Sequence, residues 1–340
     1  MKPNIFIEIT THCNMSCSFC PSPTLERPRL FMEENLFYKI IDEIKKENIT
    51  DTVYFHLMGE PLLHPKVFDF MEYAFNNNLK IVLISNISSI RTRKMEIKSI
   101  LQYVTYLEIS LQSFSEDSFK EKKIKNISFE EYIDLIKEII ETKYANNYKV
   151  QINIQIIENS KAKFKNYKKG IRLLSNNSEL KQFMDLFFTN IFKSIANKYQ
   201  LNYKPIEAQK LNYIKFHYQP FDNVSIRTRP VTTWANNMNE SNKVIPAIVG
   251  KCDALHKQIG ILANGDVVPC CLDYNGNIIL GNCQKNPLTE IMNSNQYQRL
   301  KEGFERGRLY NPYCKKCKGG TNLINWFLTQ AYSFYKHRDI

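Results

Sequence analysis

The sequence predicts an α/β fold, a parallel sheet flanked by helices, followed by a small C-terminal domain. Three observations predict it. Strand-like and helix-like runs alternate from Asn4 to Ile157, the pattern of a parallel sheet with helices packed outside. Three cysteines, Cys13, Cys17 and Cys20, follow the first strand-like run directly. From Cys252 onward the texture changes to short strands, glycine-containing turns and six more cysteines.

The elements follow in order. Residues 4–9 (NIFIEI) alternate as a strand does. Residues 33–48 place Leu36, Phe37, Ile40, Ile41 and Ile44 on one helical face. Residues 52–57 (TVYFHL) read as a second strand. Residues 65–77 read as a helix, with Pro65 near its start, where a missing N–H is tolerated. Residues 80–85 (KIVLIS) and 104–111 (VTYLEISL) are the third and fourth strands. A long amphipathic helix at 129–145 leads to a fifth strand at 150–157. From about 158 to 251 the pattern weakens, leaving a helix at 179–200 and strands at 211–216 and 224–229. Residues 259–270 read as a hairpin around Asn264-Gly265, a strong turn signal. A further helix covers about 288–303. The expected division is a core over 1–251 and a second domain with a C-terminal helix over 252–340.

With 340 residues, 43% of them hydrophobic, the chain can bury a substantial core. No run is long and apolar enough to span a membrane. Met1-Lys2-Pro3 leads straight into a strand, without a signal-peptide layout. In such a chain nine cysteines read as metal ligands rather than disulfides, which points to the reducing cytoplasm. The net charge of +12 invites a nucleic-acid partner. The lysines, however, are scattered over helices and gathered in no stripe. The exception, residues 161–170 (KAKFKNYKKG), reads as a solvated loop.

Cys13, Cys17 and Cys20 are spaced C-x3-C-x2-C. Three thiolates can hold three irons of a [4Fe–4S] cluster and leave the fourth iron open. An open position separates a catalytic metal site from a structural one. Closed zinc sites fit this spacing poorly, and His12 abuts Cys13 too closely to serve as an unstrained fourth ligand. Ligands of parallel α/β folds gather at the carboxyl ends of strands, where this loop falls. The loop, with Phe19 beside its last cysteine, resembles the signature of the radical S-adenosylmethionine (SAM) superfamily. The resemblance implies a partial (β/α)6 TIM-like barrel and a [4Fe–4S] cluster whose open site takes SAM. It also implies reductive cleavage of SAM to a 5′-deoxyadenosyl radical that takes hydrogen from substrate, with a flavodoxin- or ferredoxin-type electron donor. Gly59-Glu60-Pro61, after strand two, resembles the superfamily's Gly-Gly-Glu-Pro motif for the SAM amino group, with Met58 at the first Gly. Ser85 and Asn86 end strand three, Ser110 and Gln112 end strand four, and Asn153 and Gln155 lie on strand five. The resemblance makes these SAM-binding candidates too.

Cys252, Cys270, Cys314 and Cys317 form a second set, a hairpin plus a C-x2-C knuckle. Four thiolates can close a site, and chemistry alone allows structural zinc or a second cluster. The phrases NGDVVPCC, LGNC and PYCKKC resemble the SPASM/twitch extension of radical SAM enzymes, which implies an auxiliary [4Fe–4S] cluster. The cysteine expected about six residues past Cys317 is Leu323, so the one-cluster twitch form fits better. Cys271 reads as packing, and Cys283 is a secondary ligand candidate. The twitch arrangement resembles that of aminocyclitol and sugar dehydrogenases. It implies a small-molecule substrate, with the auxiliary cluster as electron acceptor and Asp273 as candidate base. Arg227, Arg229 and Trp234 are candidate cavity residues. Peptide maturation is the alternative enzyme class. It is disfavoured because strand one begins at Asn4, with no room for a leader-binding domain before it. A zinc-stabilised nucleic-acid-binding protein is the alternative of another class.

Overall fold

A computed structural model of the chain describes all residues except 1, 163–166, 168, 208, 209, 241, 242 and 338–340. Much of the basic stretch 161–170 therefore lies outside the described residues. The strands are β1 (Asn4–Ile7), β2 (Thr52–Tyr54), β3 (Lys80–Ser85), β4 (Tyr106–Ile109) and β5 (Gln151–Glu158), then β6 (His217–Phe221), β7 (Val224–Pro230), β8 (Gln258–Ile261), β9 (Asp266–Val268) and β10 (Gly281–Asn282). They form one sheet in the order β10-β9-β8-β1-β2-β3-β4-β5-β7-β6. β1 to β5 and β7 run parallel, and the sheet does not close. The fold is the expected partial (β/α)6 barrel.

Helices cover its outside for the reason the sequence gives. Helix Glu34–Lys46 buries Leu36, Phe37, Ile40, Ile41 and Ile44. Phe37 stacks on Phe70 of helix Val67–Asn76, with ring centroids 4.0 Å apart. Helix Phe129–Ala145 starts at a capping box, in which Ser128 and Glu131 satisfy each other's backbone N–H groups. The inside of the barrel is polar. Glu8 pairs with Arg27, and Glu108 pairs with Arg227 and accepts from Gln155 Nε2 at 2.7 Å.

Three expectations need correction. Residues 211–216 form no strand; the edge strand β6 begins at His217 instead, antiparallel to β7. The long helix near 179–200 begins at Asn177 and carries one π turn, Met184–Phe188, between its α-helical parts. The helix near 288–303 is two helices, Leu288–Asn293 and Asn295–Glu305, broken at Ser294, whose side chain caps the second. The hairpin forms as expected, with Gly265 at φ +88°. Its first strand, β8, pairs parallel with β1, so the sheet continues through the expected boundary at 252.

Candidate active site

The first cysteine loop lies at the carboxyl end of β1. Cys20 N–H donates to Cys17 O at 3.1 Å, closing the loop on itself. Burial pushes the Cys13 and Cys20 thiols up to about 12 and raises Cys17 as well. Without metal these are protonated thiols, so binding a cluster must displace protons. His12 does not join them; its ring stacks on Phe31 at 4.4 Å.

Gly59 and Glu60 seat against this loop. Glu60 N–H donates to His12 O at 2.8 Å. Gly59 has φ +76°, and an added Cβ would lie 2.3 Å from Thr10 O, so only glycine allows the approach. Met58 does not open the site; it is buried, and its N–H donates to Glu8 Oε1 at 3.2 Å. Pro61 is buried at the start of the short turn that follows.

The Glu60 carboxylate accepts from Ser85 Oγ at 2.6 Å, Asn86 N at 2.8 Å and Leu62 N at 3.2 Å. Burial raises its pKa against those bonds. Asn86 Nδ2 donates to Asn14 Oδ1 at 3.0 Å, which ties strand three to the cysteine loop.

A residue that sequence reasoning missed gathers the rest. Lys122 has no exposed surface. Its Nζ donates to Ser110 O at 2.6 Å and lies 3.4 Å from Gln112 Oε1. Burial lowers its pKa, opposed by the charges of Cys17, Cys13, Glu60 and Cys20. Ser110 and Gln112 thus belong to the neighbourhood of the cysteine loop. Gln112 adopts φ +55°, and its N–H donates to Gln155 O at 2.6 Å. Asn153 and Gln155 sit deeper in the barrel. Gln155 serves Glu108, and Asn153 Oδ1 accepts from Ser225 Oγ at 3.0 Å. Burial and the Arg229 charge hold His56 down to about 4.

The second set also assembles. Cys270 feels the charges of Cys252 and Cys317, and Cys314 those of Cys317 and Cys252, while burial raises both thiols. Burial alone would lower Lys318, but Cys252, Cys317 and Asp253 outweigh it and raise its pKa. A cation thus stands beside four thiols. Cys283 lies elsewhere, buried near Glu43 and Lys39. Among the described residues no three His, Cys, Asp or Glu side chains converge as donors to a single metal ion. A four-iron cluster needs no such convergence, because each cysteine binds a different iron. No disulfide links the nine cysteines. Thiol donors, three in one set beside buried Lys122 and four in the other beside partly buried Lys318, fit an open and a closed cluster.

One segment joins the two sets. Trp234 Nε1 donates to Phe19 O at 3.0 Å, and its ring meets Tyr274 edge-on at 6.0 Å. Asn236 Nδ2 donates to Lys316 O at 2.7 Å, at the end of helix Pro312–Cys317. Trp234, Ala235 and Asn236 all have positive φ, at +49°, +59° and +66°. Cys20, Cys271 and Trp234 pack around Leu57, Met58, Leu262, Val268 and Tyr274. Beside them opens a cleft of about 860 Å³, lined by Thr24, Glu26, Asn237, Tyr274, Asn277 and Lys316 among others. Asp273 stands behind it. Its carboxylate accepts from Asn277 N, Asn277 Nδ2 and Ile278 N at 2.8–2.9 Å, and burial raises its pKa.

Comparison with known proteins agrees with this layout. Residues 7–161 match the radical SAM superfamily, and residues 252–318 match SPASM, an iron–sulfur cluster-binding domain. A tungsten-containing aldehyde ferredoxin oxidoreductase cofactor-modifying protein of Pyrococcus furiosus is 28% identical over 113 residues, which are 33% of this chain and 30% of that protein. The chain therefore matches less than a third of that relative's length. Streptococcus suis SuiB bound to S-adenosylmethionine superposes with a TM-score of 0.56 at 15% identity, over 88% of this chain and 68% of that one. The enzyme anSMEcpe with bound AdoMet gives 0.51 at 13% identity, over 99% and 96%. At such identities the two structures speak for the fold alone. The chain carries a radical SAM domain and a SPASM domain, whose cofactors are a [4Fe–4S] cluster with SAM and an auxiliary iron–sulfur centre. The SPASM match puts an iron–sulfur domain where the zinc-stabilised nucleic-acid-binding reading placed its zinc. No helix among the described residues is long and apolar enough to cross a membrane.

Proposed function

We propose that this radical SAM enzyme oxidises a sugar- or aminocyclitol-like small molecule at a carbon bearing a hydroxyl. The observation that carries the reading is a polar cleft lined by Thr24 and Glu26, just after Cys20 in sequence, and by Tyr313 and Lys316, next to Cys314 and Cys317. When bound at Cys13, Cys17 and Cys20, the reduced cluster with SAM supplies the 5′-deoxyadenosyl radical that takes a hydrogen atom from substrate. An alcohol carbon that has lost that atom must still lose one electron and the hydroxyl proton. Cys252, Cys270, Cys314 and Cys317 would hold the auxiliary centre, which would supply an acceptor for that electron. A flavodoxin- or ferredoxin-type protein is the proposed source of the first electron.

The chain's own residues bind, orient and exclude water. Glu60, Ser85, Asn86, Ser110 and Gln112 form the proposed SAM seat, and Lys122 offers it a cation. The amides and hydroxyls of the cleft, with Glu26 and Lys316 of opposite charge among them, suit a polar, hydroxyl-rich ligand, because each amide both donates and accepts. Trp234, Tyr274 and Cys271 fill the gap between the cysteine sets. Asp273 anchors the 273–278 turn, and its Oδ2, with the one N–H of Ile278 bonded to it, keeps acceptor capacity as the proposed base for the hydroxyl proton. A peptide substrate is the second reading. It draws on the likeness in fold to Streptococcus suis SuiB, whose structure is also known bound to a precursor peptide.

The test uses anaerobic, reconstituted protein with reductant, SAM and a panel of sugars, aminocyclitols and peptides. One oxidised small-molecule product per 5′-deoxyadenosine is expected, and none from Cys17→Ala protein that is otherwise folded. Product from peptides alone would replace the first reading with the second.

A further inference from the structure

Helix Leu323–Lys336 turns its polar side inward. Asn325, Gln330 and Ser333 are buried. Gln330 Oε1 accepts the N–H groups of Ile248 and Val249, each at 3.0 Å, and Trp326 Nε1 donates to Pro246 O at 2.9 Å. The outward side is apolar. Leu323, Ile324, Phe327, Leu328, Tyr332 and Tyr335 are each between 45% and 72% exposed. Their spacing of four and eight residues puts them on one face. Lys336, at the very end, is the helix's one charged residue. Ile248 and Val249, on the segment that Gln330 holds, extend the patch and are also exposed. A helix that spends its amides on its own protein and shows its large apolar side chains to water is the reverse of an ordinary surface helix.

We propose that this face is an interface, covered by the same face of a second copy of the chain in a symmetric dimer. The area is sufficient. Eight side chains with about 100 Å² exposed each offer about 800 Å² per copy, which is one partner's share of a standard stable interface. The patch is also self-complementary. The stripe's own side chains are uncharged but for Lys336, and the cation beside it, Lys161, already lies 5.8 Å over the Tyr332 ring, so a twofold contact need bury no unpaired charge. A lipid surface suits it less well. Interfacial helices carry lysine and arginine on a solvated polar face, whereas this polar face carries buried Asn325, Gln330 and Ser333, with Gln330 bonded to the protein body. The net charge of +12 on each copy opposes association. Salt screens that repulsion, so the dimer tightens as salt rises.

Sedimentation equilibrium of the full, iron-loaded chain at low and high salt tests the proposal. A mass of twice 40.0 kDa, with more dimer at high salt, is expected. Phe327→Glu and Tyr335→Glu should give monomers with unchanged helix and iron content. Leu186→Glu, at an exposed leucine elsewhere, should leave the dimer intact. A wild-type monomer throughout, or a dimer that Phe327→Glu leaves whole, overturns it. So does a wild-type monomer that sediments with anionic vesicles, because lipid would then be what covers the face.

Discussion

Burying a lysine is unfavourable unless something answers its charge. At Lys122 the answer is Ser110 O, with three thiols and Glu60 around it. When those thiols become thiolates, the same ammonium offsets part of their mutual repulsion. Lys122→Met keeps the apolar stem and removes the cation. The variant is expected to fold but to hold less iron at the first cysteine loop and to release 5′-deoxyadenosine at least tenfold more slowly, roughly the weight of one charge-assisted contact. Iron per chain and 5′-deoxyadenosine release check both, and unchanged values for both would refute the role. Glu60 and the three cysteines were legible because each sits in a short motif at a strand end. Lys122 was not, because it lies in the run KEKKIK at 120–125. Such runs read as solvated faces, and only tertiary packing turns one of four lysines inward.

Long, strongly patterned elements were read nearly to the residue, as β3 and helix Phe129–Ala145 show. Short ones were not. β1 and β2 end at Ile7 and Tyr54 because the chain leaves the ladder to build the site loops, although apolar residues continue beyond. The run 211–216 looks like a strand, but pairing with β7 begins at His217. The turn 234–236 carried no signal, for its three residues are not glycine and yet all adopt left-handed φ. Such residues cost about 1–2 kcal/mol each. The turn persists because it is held at both ends, at Phe19 O by Trp234 and at Lys316 O by Asn236. Ala235 makes neither bond, so glycine relieves its strain at the cost of one buried methyl alone. Ala235→Gly is expected to leave stability unchanged or raise it by up to about 1 kcal/mol. Denaturant unfolding of wild type and variant decides it, and a clear loss of stability would show that the alanine methyl packs productively.

Both cysteine sets hang from one sheet. β1 leads into Cys13, Cys17 and Cys20, and β8, its parallel neighbour, leads through the hairpin to Cys270. The sheet fixes the relation of the two sets, while each set has its own thiols and its own lysine, Lys122 or Lys318. A change in one should therefore leave the other's metal in place, as independent sites allow. Reconstituted wild type should carry about eight irons per chain with little zinc, the content of two four-iron clusters. Cys314→Ala should carry about four. SAM cleavage should continue in that variant, because the first loop and Lys122 are untouched. Oxidised product should disappear, because the second electron has lost its acceptor. Product that persists with half the iron gone would assign the second set to structure and leave the radical chemistry redox-neutral. About four irons plus one zinc in the wild type would lead to the same place by a shorter route. Measuring metal and product on the same samples separates these outcomes, since either quantity alone fits two of them.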